Sequence, residues 1–298
     1  MKTVVRVVFS SDAIRGGVQA VLGPAGCGPD VAKINEEAVL RTINVSVTLE
    51  ETDPRLPVLF TLLKQHDEDW LEDHEDVYTE EELNSARLLL MRGNRQCEID
   101  GGVAFGTMFD VSDACPACWT GAKQTSPLFV KREDLRTLKG NRAGETYAGQ
   151  LFVDERLAQD LENIGATGLT LGEMYAEFRE KRMVKLPWKQ LLAARTLPPM
   201  SPSTTGLARN QPCEVCFRNG YCVTREAPTR IVYRASDLRD VDDVSFSWEN
   251  EWFANLKPDL RESLLSRPWL LVTPRVRRVI VDAGVTCFDW IPVRVEEG

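Results

Sequence analysis

The sequence predicts an α+β protein, with two strand-helix-strand modules, an N-terminal mixed α/β region and a possible four-cysteine zinc knuckle pair. Three observations point there. Ile43, Val45, Val47 and Leu49 alternate with Asn44, Ser46 and Thr48, the period-2 pattern of a half-buried strand. A diffuse repeat at an offset of 119 residues sets LFVDERLAQDLENIGATGLTLGEM (151–174) over LLVTPRVRRVIVDAGVTCFDWIPV (270–293). Two Cys-x-x-Cys pairs, Cys115 with Cys118 and Cys213 with Cys216, complete the pattern. The mixed region with its acidic tract is placed at 1–95 and the double-CxxC region at 96–298.

In chain order, VVRVVF reads as the first strand. GPAGCGPD (23–30) reads as a turn-rich loop, because it lacks the preceding strand and the Lys-Ser/Thr of a phosphate-binding loop. After the strand at 43–49, Asp53-Pro54 opens an apolar run at helical spacing, Leu56, Leu59, Phe60 and Leu63. Ten of the residues from Asp67 to Glu82 are Asp or Glu, which reads as a solvated loop ahead of a helix. Thr79 and Glu82 form a capping-box pattern before Leu83, Ala86, Leu89 and Leu90. A sharper reading makes the tract a contact face for a basic partner, or a weak divalent-cation site built from carboxylates.

Each repeat copy opens with an apolar strand and an N-cap, Asp154 or Thr273. Helical apolar positions follow, Leu157, Leu161 and Ile164 in one copy and Val276, Ile280 and Ala283 in the other. A glycine, Gly165 or Gly284, then stops the helix before a second strand. Between the copies, residues 178–210 are polar and proline-dotted, and Leu197–Asn210 reads as an exposed loop or linker.

Composition narrows the function. A chain of 298 residues, 43% hydrophobic and 27% charged, can bury a substantial core. Its formal charge of −9 disfavours generic binding to phosphate backbones and suits basic partners. No apolar run approaches the roughly 18 residues of a membrane span, and no secretory signal is visible, so the chain reads as cytoplasmic with no membrane partner. Its two histidines, His66 and His74, both lie in QHDEDWLEDHED, and His74 reads as a solvated surface residue. Ser-His-Asp or Cys-His catalysis is therefore disfavoured, and no enzyme is expected.

The cysteine pairs admit three readings. Two Cys-x-x-Cys turns can supply a four-thiolate shell, which suits zinc and leaves no open position for catalysis. The pairs lie 94 residues apart, longer than in the usual ribbon, so they need not meet. They can instead be inert buried thiols, or CPAC can be a redox motif, although no strand and helix flank it in thioredoxin-like order. Cys222 can replace a member of the second pair, while Cys27, Cys97 and Cys287 read as core thiols.

With DACPACWTG, SPLFVKREDL, QPCEVCFRNG and the closing WLLVTPRVRRVIVDAGVTCFDWIPV in view, the chain resembles the double-CxxCG-motif proteins, which include the immunity proteins of Sit-type contact-dependent toxin systems. The matching stretches run from about 113 to 295. In that family a glycine follows each pair and lets backbone N–H groups approach the sulfur; here Trp119 and Phe217 stand there. The resemblance implies a cytoplasmic protein that binds and neutralises a cognate toxin, with zinc held by Cys115, Cys118, Cys213 and Cys216. Many intracellular toxins are basic, so the acidic tract, with Trp70 and Tyr78 as anchors, is the expected contact face. The alternative is a zinc-ribbon-like nucleic-acid-binding protein, resting on FREKRMVKLPWKQ (178–190) and on Arg275, Arg277 and Arg278. The net charge makes a nucleic-acid partner the weaker expectation.

Overall fold

The computed structural model describes residues 1–10, 14, 16–37, 42–94, 96–178, 182–251 and 266–297. It holds both helices and strands and is strand-rich. The chain divides into two compact units, Met1–Thr79 with Val223–Thr229, and Glu80–Cys222 with Arg230–Gly298.

The first unit contains β1 (Lys2–Ser10), α1 (Gln19–Leu22), β2 (Ala32–Glu37), β3 (Thr42–Glu50), α2 (Arg55–Gln65) and β4 (Trp70–Val77). Its antiparallel sheet has the order β2-β3-β1-β4. Alternation puts Val5, Val7 and Phe9 of β1 beside Val45, Val47 and Leu49 of β3, and α2 covers them with Leu56, Leu59 and Leu63. Leu59 and Leu63 are wholly covered, each contributing roughly 2 kcal/mol of transfer free energy. The expected strands and helix are in place, and GPAGCGPD is a loop whose Ala25 and Cys27 close over this core.

The acidic tract departs from its expected loop. Trp70–Val77 is an edge strand in full register with β1, from Phe9↔Trp70 to Lys2↔Val77. Its carboxylates alternate like any strand residues. Leu71, Glu75 and Val77 face outward, while Trp70 stacks on Phe60 at 5.6 Å. Charges along an edge strand deter pairing with foreign strands, which reconciles the composition with the conformation. The capping box also gives less than expected. The helix α3 (Glu80–Ser85), which opens the second unit, is short, and Leu89 and Leu90 lie in a strand.

The rest of the second unit runs β5 (Leu89–Gly93), β6 (Glu98–Ile99), β7 (Phe109–Asp110), β8 (Lys123–Gln124), β9 (Leu128–Val130), β10 (Ala143–Thr146), β11 (Leu151–Asp154), α4 (Glu155–Asn163), β12 (Leu169–Phe178) and β13 (Arg182–Ala193). There follow β14 (Leu207–Arg209), β15 (Tyr221–Val223, whose last residue counts with the first unit), β16 (Val232–Arg234), β17 (Val244–Glu251), β18 (Arg267–Val272), α5 (Pro274–Asp282), β19 (Phe288–Pro292) and β20 (Arg294–Glu296). Both strand–helix–strand modules form where the repeat places them, as β11-α4-β12 and β18-α5-β19. Asp154 caps α4 by accepting the Leu157 N–H at 2.6 Å. Thr273 makes no side-chain cap; its hydroxyl donates to Asp243 Oδ1 at 2.7 Å, and Pro274 starts the helix. Gly165 and Gly284 both take the positive φ expected of a helix stop.

The likeness of the two halves reaches beyond the modules. Each half runs from a short strand pair through a parallel strand and a 3-10 turn (Arg132–Arg136 or Ala235–Leu238) to an antiparallel pair and its helix. β9 pairs parallel with β12, and β16 with β20. In the first half, β13 lies between β11 and β12. In the second, the equivalent place between β18 and β19 is filled by β5, from before the first half. Leu88, Leu89, Leu90 and Met91 are accordingly all buried, where a helical pattern had been expected.

The proline-dotted stretch is structured too. Pro187 sits in β13 where the register with β12 shifts between Glu173 and Tyr175, a bulge that relieves the missing N–H. Leu197 and Ser201 are buried and Leu207–Arg209 is a strand, so 197–210 is a loop only in part and is not exposed throughout. No helix of the described residues is long and apolar enough to cross a membrane.

Candidate metal centre

Each cysteine pair sits in a turn between two short strands. Residues 111–122 link β7 to β8, and residues 210–220 link β14 to β15, where the Asn210 N–H reaches Gly220 O at 2.7 Å. In both turns the N–H of the residue after the pair returns to the carbonyl of the first cysteine, Trp119 to Cys115 at 2.8 Å and Phe217 to Cys213 at 3.0 Å. Closing so tight a turn drives that residue left-handed: φ is +56° at both Trp119 and Phe217. These are the positions at which the resemblance expected glycine. A side chain there costs on the order of 1–2 kcal/mol, yet both knuckle turns are complete.

The two turns meet. The sulfurs of Cys115, Cys118, Cys213 and Cys216 all lie within 4.8 Å of one another, with Cys115 Sγ 3.8 Å from Cys213 Sγ and Cys118 Sγ 3.5 Å from Cys216 Sγ. A regular tetrahedron of sulfurs about 2.3 Å from zinc has edges of about 3.8 Å. The donor set and its spacing therefore fit a four-thiolate metal ion, and the long sequence separation does not keep the pairs apart. None of the eight cysteines forms a disulfide. No helix follows CPAC to lower a thiol pKa in the manner of a redox site.

The thiols are electrostatically unequal. Burial pushes Cys118 up to about 12, against hydrogen bonding to Thr120. Burial also acts to raise Cys213, but the backbone N–H groups of Cys216 and Val215 and the Cys118 and Cys115 thiols aim at its sulfur and bring it down to about 7. Burial raises Cys216, opposed first by the Arg218 N–H. A bound cation would replace the protons that hold such a cluster neutral.

A buried polar lattice joins the knuckles. Asn219 Nδ2 donates to Thr120 Oγ1 at 3.0 Å, and Asn219 Oδ1 accepts the Cys213 N–H at 2.8 Å. Thr120 Oγ1 also takes the Cys118 thiol at 3.2 Å and lies 2.9 Å from Ser266 Oγ. Thr120, Asn219 and Ser266 were not anticipated; the Asn219-Gly220 turn signal was their only trace. Gly220 has φ +83°, and a Cβ there would stand 2.6 Å from Asn210 O.

Other expectations fare differently. Cys222 stays outside the cluster, its thiol directed at Ala208 O. Cys27, Cys97 and Cys287 are buried, as expected. His74 is not a solvated residue: its side chain is 16% exposed, between Glu51 and Glu72. Trp70 is no free anchor, since it stacks on Phe60 and its indole N–H donates to Glu72 at 2.8 Å. Tyr78 is half-buried beside Asp76. Among the described residues the four cysteines are the one group of three or more such side chains spaced for a metal ion. The basic stretches are also largely engaged. Lys185 and Lys189 both bind Glu173, Arg275 faces Asp243, and Arg277 is buried in a bidentate pair with Glu80. Residues 179–181 of the first stretch lie outside the described residues.

No protein-family model matches the chain, and no curated protein matches its sequence.

Proposed function

We propose that the chain is a cytoplasmic immunity-type protein that binds and neutralises a cognate protein toxin, with a structural zinc ion held by Cys115, Cys118, Cys213 and Cys216. The observation that carries this reading is the convergence of two knuckles, 94 residues apart in sequence, on one four-sulfur cluster. A shell closed by four protein thiolates offers no position to substrate, which supports a metal that clamps the fold. The double-CxxCG resemblance supplies the immunity role, and the charge of −9 favours fast association with a basic toxin.

The nucleic-acid-binding alternative has less behind it. Among the described residues, Lys185, Lys189, Arg275 and Arg277 of its basic stretches are in ion pairs within the second unit, with Arg277 buried. Co-expression with the toxin encoded beside it tests the proposal. Rescued growth and co-purification of the two proteins support it, and failure with every neighbouring candidate rejects it.

A further inference from the structure

We infer that the outer rim of the second knuckle grips the partner, and that it takes an acidic, aliphatic-flanked segment of that protein. This rests on the binding role proposed above and names its contact.

The turn at 213–217 presents Val215 and Phe217 to solvent, 62% and 52% exposed, beside the half-buried Cys216. Nothing in the turn requires large apolar groups there. Phe217 moreover keeps its ring at φ +56°, a backbone that glycine adopts without strain. Strain of this kind persists where the side chain is used. The ring is left open to solvent on the side away from Arg209, which stacks on it.

Two arginines complete the rim. The Arg209 guanidinium lies 5.8 Å from the Phe217 ring and 5.2 Å from the Tyr221 ring, and its Nη2 donates to Phe217 O at 3.1 Å. Arg218 lies 5.5 Å over Trp248, with Nε donating to Trp248 O at 3.2 Å. Each is fixed by a ring and one carbonyl, with further N–H groups left to donate. Neither forms an ion pair with a carboxylate among the described residues, in a chain with nine more acidic than basic side chains. Aromatic and arginine side chains around exposed aliphatic surface are the composition of interface hot spots. A stacked guanidinium offers its planar edge to a carboxylate in bidentate fashion. A polyphosphate backbone suits the rim less, because it brings no aliphatic group to the exposed Val215.

The test uses the full chain and the protein encoded beside it, with Phe217→Gly, Arg209→Glu and, on the exposed face of α4, Glu162→Lys. Both rim variants should unfold at or near the parent temperature yet bind roughly tenfold or more weakly, while Glu162→Lys binds like the parent. Should the parent bind and both rim variants bind as tightly, the rim is wrong and the binding role stands. Should the parent bind no neighbouring product, the binding role falls and the rim with it. Parent binding to labelled oligothymidylate, lost in Phe217→Gly, would overturn the protein occupant in favour of a single strand.

Discussion

Asn219, in the second knuckle, donates its side-chain amide to Thr120 Oγ1 of the first at 3.0 Å while accepting the Cys213 N–H at 2.8 Å. One wholly buried side chain thus braces both cysteine turns. Asn219→Ala leaves the Cys213 N–H and Thr120 short of a partner, at roughly 1–3 kcal/mol. Loss of a group that orients metal ligands typically costs 10–100-fold in metal affinity. Chelator competition and thermal melts should record both losses; unchanged zinc affinity would remove Asn219 from the site's support.

Phe217 and Trp119 share a backbone conformation but not an environment. Phe217 is exposed, so Phe217→Gly removes strain and loses little packing. Its stability should stay level or rise by about 1 kcal/mol after the added unfolded-state entropy of glycine. Trp119 is half-buried, and Trp119→Gly should destabilise through lost contact area. Denaturant midpoints for the two variants should move apart, and equal shifts would contradict the assignment.

Gly220 and Gly121 separate by what surrounds them. A Cβ on Gly220 meets Asn210 O at 2.6 Å and Pro212 Cα at 2.9 Å, whereas one on Gly121 meets only Arg218 Nη1 at 3.4 Å, the end of a flexible side chain. Gly220→Ala should open the second knuckle and sharply lower the melting temperature. Gly121→Ala should cost only the strain of its positive φ, about 1 kcal/mol. Similar losses in the two would mean that the close approach at Gly220 does not matter.

Glu249 is 3% exposed, and burial raises its pKa although its Oε1 accepts the Met200 N–H at 2.8 Å. A carboxyl with a raised folded-state pKa binds its proton more tightly folded than unfolded. Stability is thus lost as pH rises from the ordinary glutamate range through the folded value. Glu249→Gln keeps an acceptor and removes the titration. Its melting temperature should exceed the parent's by a margin that grows from pH 4 to pH 8, and a margin that shrinks would contradict the burial argument.

Much of this fold is legible in the residues, because alternation at 43–49, helical spacing at 56–63 and the cap–helix–glycine order of the two modules are local signals. What escaped depends on distant partners. Trp70–Val77 is a strand because β1 pairs with it, and its carboxylates hide the period of two. Leu89–Gly93 is a strand because the second half lacks one between β18 and β19, a vacancy that no local pattern announces. The cysteines named themselves by spacing. Thr120, Asn219 and Ser266 did not, since a buried hydroxyl or amide looks like any turn residue until its partner is placed.

Elemental analysis decides whether the four sulfurs hold one structural ion. Protein purified untagged under reducing conditions, with Cys→Ser variants at 115, 118, 213 and 216, should carry about one zinc per chain. Each variant should lose the metal and melt at lower temperature, because binding and folding are coupled. A parent free of metal after growth with added zinc, and variants as stable as it is, would contradict the account.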